Sequence, residues 1–200
     1  MIIFGIIIIF LAYWILFRNW DRRFMDYKII DPLKISTEDT PLIMLVDNRN
    51  AFVSWLIKWH TKGEYNHICE MHRLGFLATQ DPIGFHEVPI ETYMKKNLFL
   101  KFWKFKNITL GQKTDWLHNI VAEIHKPWIK RRYDFVGLIG QLLNIRWINN
   151  TWTKYCSEMV RSHILEPLKL NIALHITPSE FNDYFNRDSN FEVYGYWFMD

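Results

Sequence analysis

The chain reads as an α+β domain, an antiparallel sheet packed on helices, preceded by one transmembrane helix. Three observations predict this. An unbroken apolar run opens the chain, short extended segments lie between Pro41 and Ile108, and helical periodicity takes over after Gly111. With 200 residues, half of them apolar, one sizeable core is within reach and a single domain is expected. Ten Trp, nine Tyr and fifteen Phe suit a packed globule and argue against disorder. A net charge of +3 gives no reason to expect nucleic acid as a partner, although it favours contact with an anionic membrane surface.

Residues 2–17 run from Ile2 to Phe17 without a charged side chain and end abruptly at Arg18, Asp21, Arg22 and Arg23. As a helix the run is roughly 24 Å long, close to a bilayer core of about 30 Å, and Tyr13, Trp14 and Trp20 are placed for an interface. A cleaved leader carries its basic residues before the apolar run and small residues at its end. Here the basic residues follow, and the run closes on Ile15, Leu16 and Phe17, so a retained anchor is expected. Arginines on its carboxyl side place the following domain in the cytoplasm. The glycosylation patterns Asn107-Ile108-Thr109 and Asn149-Asn150-Thr151 test that orientation, because a glycan on either would reverse it.

Residues 18–40 read as a connector and residues 41–200 as the domain. Leu42 to Val46 is an apolar run of strand length. Phe52, Trp55, Leu56 and Trp59 then fall at helical spacing behind Asp47 or Asn48, predicting a helix to about Lys62 with a core-facing stripe. Tyr65 to Gln80 reads as a hairpin turning around Arg73, Leu74 and Gly75, with further strands over His86–Ile90 and Asn97–Ile108. Leu117, Ile120, Val121 and Ile124 form one helical stripe, and Phe135, Leu138, Ile139 and Leu142 another beyond Pro127. A last helix is predicted from about Tyr155 to Leu165, stopped by Pro167.

Two cysteines, Cys69 and Cys156, make no disulfide framework and read as reduced thiols. Repeats, low-complexity tracts and glycine-rich phosphate loops are absent, which removes solenoids and mononucleotide-binding folds. In Tyr155-Cys156-Ser157-Glu158-Met159-Val160 the cysteine opens a helix. Free N–H groups and the helix dipole at that end favour a thiolate and offer donors to an oxyanion, so Cys156 is the candidate nucleophile. The opposing reading is a small buried hydrophobe. A nucleophilic thiol needs a base, and His67 is expected to turn its ring toward the sheet face on which the Cys156 helix packs. Composition alone leaves His60, His72, His86, His118, His125, His163 and His175 in competition.

The stretch Tyr65-Asn66-His67-Ile68-Cys69-Glu70-Met71, followed by Gly75 to Gln80, Gly84 and Val88-Pro89-Ile90, resembles the strands around the base in NlpC-type peptidases. Here the histidine strand precedes Tyr133-Asp134-Phe135 and Tyr155-Cys156-Ser157-Glu158. That order is similar to the circularly permuted papain-like enzymes, which include relatives of lecithin retinol acyltransferase. The resemblance spans roughly Pro41 to Leu165 and implies a permuted papain-like fold with a catalytic Cys156, a catalytic His67 and a third polar residue that orients the imidazole. By ungapped spacing the third position falls on Thr79, where many relatives carry His or Glu. Gln80 serves only if the hairpin shifts by one residue, because strand alternation forbids both from facing the base. Glu70 and Asp134 are the acids that would otherwise take the part.

The implied activity is that of a cysteine hydrolase, amidase- or peptidase-like, or an acyltransferase. Its expected partners are membrane lipid and a lipid or peptide amide or ester substrate, with no nucleic acid and no cofactor. A membrane-tethered module of the same fold that binds without catalysis is the alternative. His67, Cys69, His72 and Cys156 are all possible zinc ligands, but His72 falls on the strand face opposite His67 and Cys69, and no paired-cysteine spacing supports a metal site. Lys95, Lys96, Lys101, Lys104 and Lys106 interleave with Phe99, Phe102, Trp103 and Phe105, a mixture suited to anionic headgroups and equally found in an ordinary exposed strand.

Overall fold

A computed structural model describes residues 28–48, 52–132, 134 and 154–199. The expected anchor, the first part of the connector and the Phe135–Leu142 stripe lie outside the described residues. Among those described, no helix is long and apolar enough to cross a membrane.

Six strands form one antiparallel sheet: β1 (Leu42–Asn48), β2 (His67–Arg73), β3 (Phe76–Asp81), β4 (Gly84–Pro89), β5 (Leu98–Phe105) and β6 (Phe191–Phe198). Their spatial order is β4-β3-β2-β1-β5-β6. The hydrophobic run Leu42 to Val46 is apolar on both sides because β1 lies inside the sheet and both its faces are covered. The β2–β3 hairpin turns through Leu74 and Gly75, where Gly75 takes φ +73, a conformation that costs other residues. The β4 and β5 strands fall where they are predicted, to within a few residues.

Among the described residues, four helices accompany the sheet: α1 (Phe52–Thr61), α2 (Leu110–Ile124), α3 (Cys156–Ile164) and α4 (Pro178–Arg187). On one face, α3 packs across β2 and β3 over Ile43, Leu45, Ile68, Ala78 and Phe85, with Trp116 and Ile120 of α2 and Phe181 and Phe185 of α4 completing the core. A smaller apolar cluster covers the other face, built from Leu42, Met44, Cys69, Met71, Leu77 and Ile90.

Two sequence expectations are corrected. The α2 stripe is rotated: Trp116, Ile120 and Glu123 are its buried residues, while Val121 is 43 % exposed. The cause is a tether, because Trp116 donates its indole N–H to Glu70 Oε1 at 2.7 Å and rolls the helix toward β2. Trp59, expected in the core, is 58 % exposed, on a helix that packs against β1. The end of the connector is not loose. Ile29 bridges Tyr196 of β6 in parallel, and Ile35 is buried in the second cluster.

The helix α4 and strand β6 went unread in the sequence. Thr177 and Glu180 form a capping box ahead of α4, with Pro178 at its first position. Among the lysines of the predicted basic strand, Lys101 is buried, Lys104 pairs with Asp39 at 2.5 Å, and Lys106 donates to the Ser189 carbonyl.

Candidate active site

Cys156 is the first residue of α3. Tyr155 ahead of it is extended and supplies no side-chain cap, so the first N–H groups of the helix are left for other acceptors. The helix is pinned behind the cysteine: Ser157 donates its hydroxyl to the Ile176 carbonyl, and Met159, Val160 and Ile164 pack into the core. Deeper in, His163 Nδ1 lies 2.5 Å from Glu70 Oε2, so one fully buried carboxylate ties α2 and α3 to β2.

The backbone N–H groups near the Cys156 sulfur, that of Ile68 first among them, favour its charged form. Ile68 adjoins His67 in the chain.

His67 opens β2. Its Nε2 lies 2.8 Å from Thr79 Oγ1 and 3.1 Å from the Tyr93 hydroxyl, and those two oxygens are 3.0 Å apart. The Tyr93 ring stacks on the imidazole at 5.9 Å with 7° between planes. The Cys69 thiol donates to Thr79 Oγ1 at 3.4 Å, and one tautomer of His67 places its Nε2–H on the same oxygen. In that tautomer Nδ1 of His67 is unprotonated and able to accept a proton.

The structure thus brings together His67 and Thr79, and it buries Cys156 in the core cluster that holds Ile68, the residue next to His67. The ring orientation differs from the sequence expectation. Ile68 and Glu70 face α3, whereas His67 and Cys69 project to the other face, with Thr79 and Tyr93. Period-two alternation makes this unavoidable once Glu70 is claimed by α2 and α3.

Gln80 projects away from the His67 ring. Its Nε2 donates to the carbonyls of Arg131 and Lys154 at 3.2 and 3.0 Å, which fastens the residues just ahead of Cys156, and its Oε1 has no partner among the described residues. Glu70 is spent on Trp116 and His163. Asp134 is buried, with its backbone N–H on the Lys154 carbonyl. Of the competing histidines, His72 pairs with Glu87, His163 with Glu70 and His175 with Glu158. Tyr93 was missed in the sequence because it follows a short 3-10 helix, Ile90–Thr92, and carries no periodicity that points to β2.

Electrostatics correct one further expectation. Burial pushes the Cys156 thiol up to about 12 and outweighs the three N–H groups that oppose it. Burial likewise pulls the His67 imidazole down to about 4, and raises the Tyr93 phenol. The helix terminus offers its donors, but the sulfur sits in surroundings too dry to hold charge at rest. Both groups are therefore neutral at pH 7, a thiol and an imidazole rather than an ion pair. The arrangement suits attack in which the proton leaves sulfur as the new bond forms. A scan against protein-family models finds no match for this chain, and no curated protein is similar to it.

Proposed function

We propose that the protein is a thiol-dependent hydrolase or acyltransferase acting on an amide or ester bond, on a permuted papain-like domain held at a membrane by the apolar segment 2–17. Cys156 attacks the substrate carbonyl while its proton passes, through a bridging water, to His67, whose ring lies on the face of β2 away from α3, and the tetrahedral oxyanion draws on the N–H groups at the start of α3. His67 returns the proton to the leaving amine or alcohol, leaving a thioester on Cys156. Water or an acyl acceptor, deprotonated by His67, then releases the acyl group and restores the thiol.

Thr79 is the positioning residue for His67, with Tyr93 as its support. The observation that carries the reading is the hydrogen-bonded Thr79–His67 pair together with a buried cysteine that opens the helix packed on β2. Membrane lipid and a lipid or lipidated-peptide substrate are the first choice of partners, with cell-wall peptides second. The test is turnover of acyl-lipid and peptide-amide panels by the full chain. Cys156→Ala abolishes turnover and the acyl-enzyme mass while leaving the melting temperature intact, and an active Cys156→Ala variant would refute the assignment.

One observation favours a second reading. A nucleophile buried to the point of neutrality, beside an orienter that carries no charge, is also what a tethered binding module of the same fold would keep. That reading expects no turnover to lose and no acyl-enzyme in the wild type.

A further inference from the structure

A cleft of about 580 Å³ opens on the α3 side of the sheet, between the carboxyl end of α1 and helix α4, in the size range of small-molecule sites. At its floor is Lys101 of β5, only 6 % exposed. Its Nζ donates to Asn182 Oδ1 at 2.8 Å and lies 4.4 Å from the ring centre of Trp103 and 5.7 Å from that of Tyr196. An ammonium has three donors, and the amide oxygen takes one. Among the described residues no carboxylate reaches ion-pair distance of it.

Buried lysines are ordinarily paired, because an uncompensated charge away from water is costly. The acids that feel Lys101, Glu64 and Asp183, are exposed and line the same cleft without touching it. The site therefore has a cationic floor and an anionic rim. A simple anion would meet Glu64, Glu180 and Asp183, and a simple cation would meet Lys101 and Lys62.

We propose that this cleft binds a small zwitterion of the amino-acid or dipeptide type, its carboxylate on Lys101 Nζ and its ammonium toward the rim carboxylates Glu64 and Asp183. The aromatic ring of Tyr196 lines the space between. Burial holds the Lys101 ammonium down to about 8, as expected of a cation whose counter-charge has yet to arrive. The inference does not rest on Cys156 chemistry, although Tyr65, which lines the cleft, is two residues from His67.

The test is titration calorimetry of the full chain in detergent with glycylglycine, and with N-acetylglycine and glycinamide as single-charge analogues. Glycylglycine binds at least tenfold more tightly than either analogue, and Lys101→Met weakens it at least tenfold. At pH 8, buffers of different ionisation enthalpy reveal uptake of about one proton per glycylglycine bound, about half of it completing protonation of Lys101 and about half that of the ligand's own α-amino group. Should Lys101→Met fail to fold, the exposed pair Glu64→Gln with Asp183→Asn serves instead and erases the preference for glycylglycine over N-acetylglycine. Absence of glycylglycine binding, equal affinity for all three probes, or unchanged binding in Lys101→Met would overturn the proposal.

Discussion

The dry setting of Cys156 makes a quantitative statement about its chemistry. Moving the thiol from its ordinary 9.0 to about 12 lowers the thiolate fraction at neutral pH by about a thousandfold, each unit being about 1.4 kcal/mol. Because the thiolate is the species that alkylates, iodoacetamide at pH 7.5 should label Cys156 in the native protein at least ~1,000-fold more slowly than in urea. Cys69, pushed to about 12 by the same burial, behaves alike. The rate at each site, followed by peptide mass, climbs about tenfold per pH unit well beyond pH 9. His67→Ala leaves the resting rate at Cys156 unchanged within about threefold, since a neutral imidazole holds no thiolate in place. Labelling of Cys156 at pH 7 as fast as in the unfolded chain would refute the reasoning. It would mean that the N–H groups of Ile68, Ser157 and Cys156, not desolvation, set the state of the sulfur.

Two more outcomes follow from the buried polar groups. Glu70→Ala strands the Trp116 indole N–H and His163 Nδ1 in a closed interior, and should cost about 3–5 kcal/mol by urea denaturation; a loss under about 1 kcal/mol would show that Glu70 does not tie α2 and α3 to β2. His67 has its folded pKa depressed from 6.5 to about 4, so its contribution is present above pH 6.5 and is lost as the pH falls through 4. Stability should drop by about 3 kcal/mol over that window, and His67→Gln should flatten the slope there, which denaturation at pH 4, 5, 6 and 7 measures.

How the pieces of the site become legible differs from residue to residue. Cys156 shows itself locally, because the first position of a helix is a short-range property of Tyr155, Ser157 and the apolar spacing of Met159 and Val160. Thr79 is reachable too, through the fixed length of the hairpin: twelve residues separate it from His67, and a tight turn at Leu74 and Gly75 puts Thr79 opposite Cys69. Tyr93 and Lys101 are of another kind. Nothing within ten residues of either indicates a partner, and each acquires its role only from a surface that arrives from elsewhere in the chain.

The sequence by itself determined the strand and helix order from Leu42 to Ile124 and the helix from Cys156 to Ile164, because alternation, helical spacing and a glycine turn act over a few residues and need no tertiary partner. Tertiary structure alone decided three things. It chose which face of α2 is buried, since the Trp116–Glu70 bond overrides the hydrophobic stripe. It chose which side of β2 carries His67, since pairing Glu70 with α2 and α3 commits every second side chain. It also decided that Cys156 rests as a neutral thiol. The dipole and free N–H groups of a helix end can be read from sequence, but the desolvation that defeats them is the sum of everything packed around the sulfur, and that sum exists only once the chain has folded.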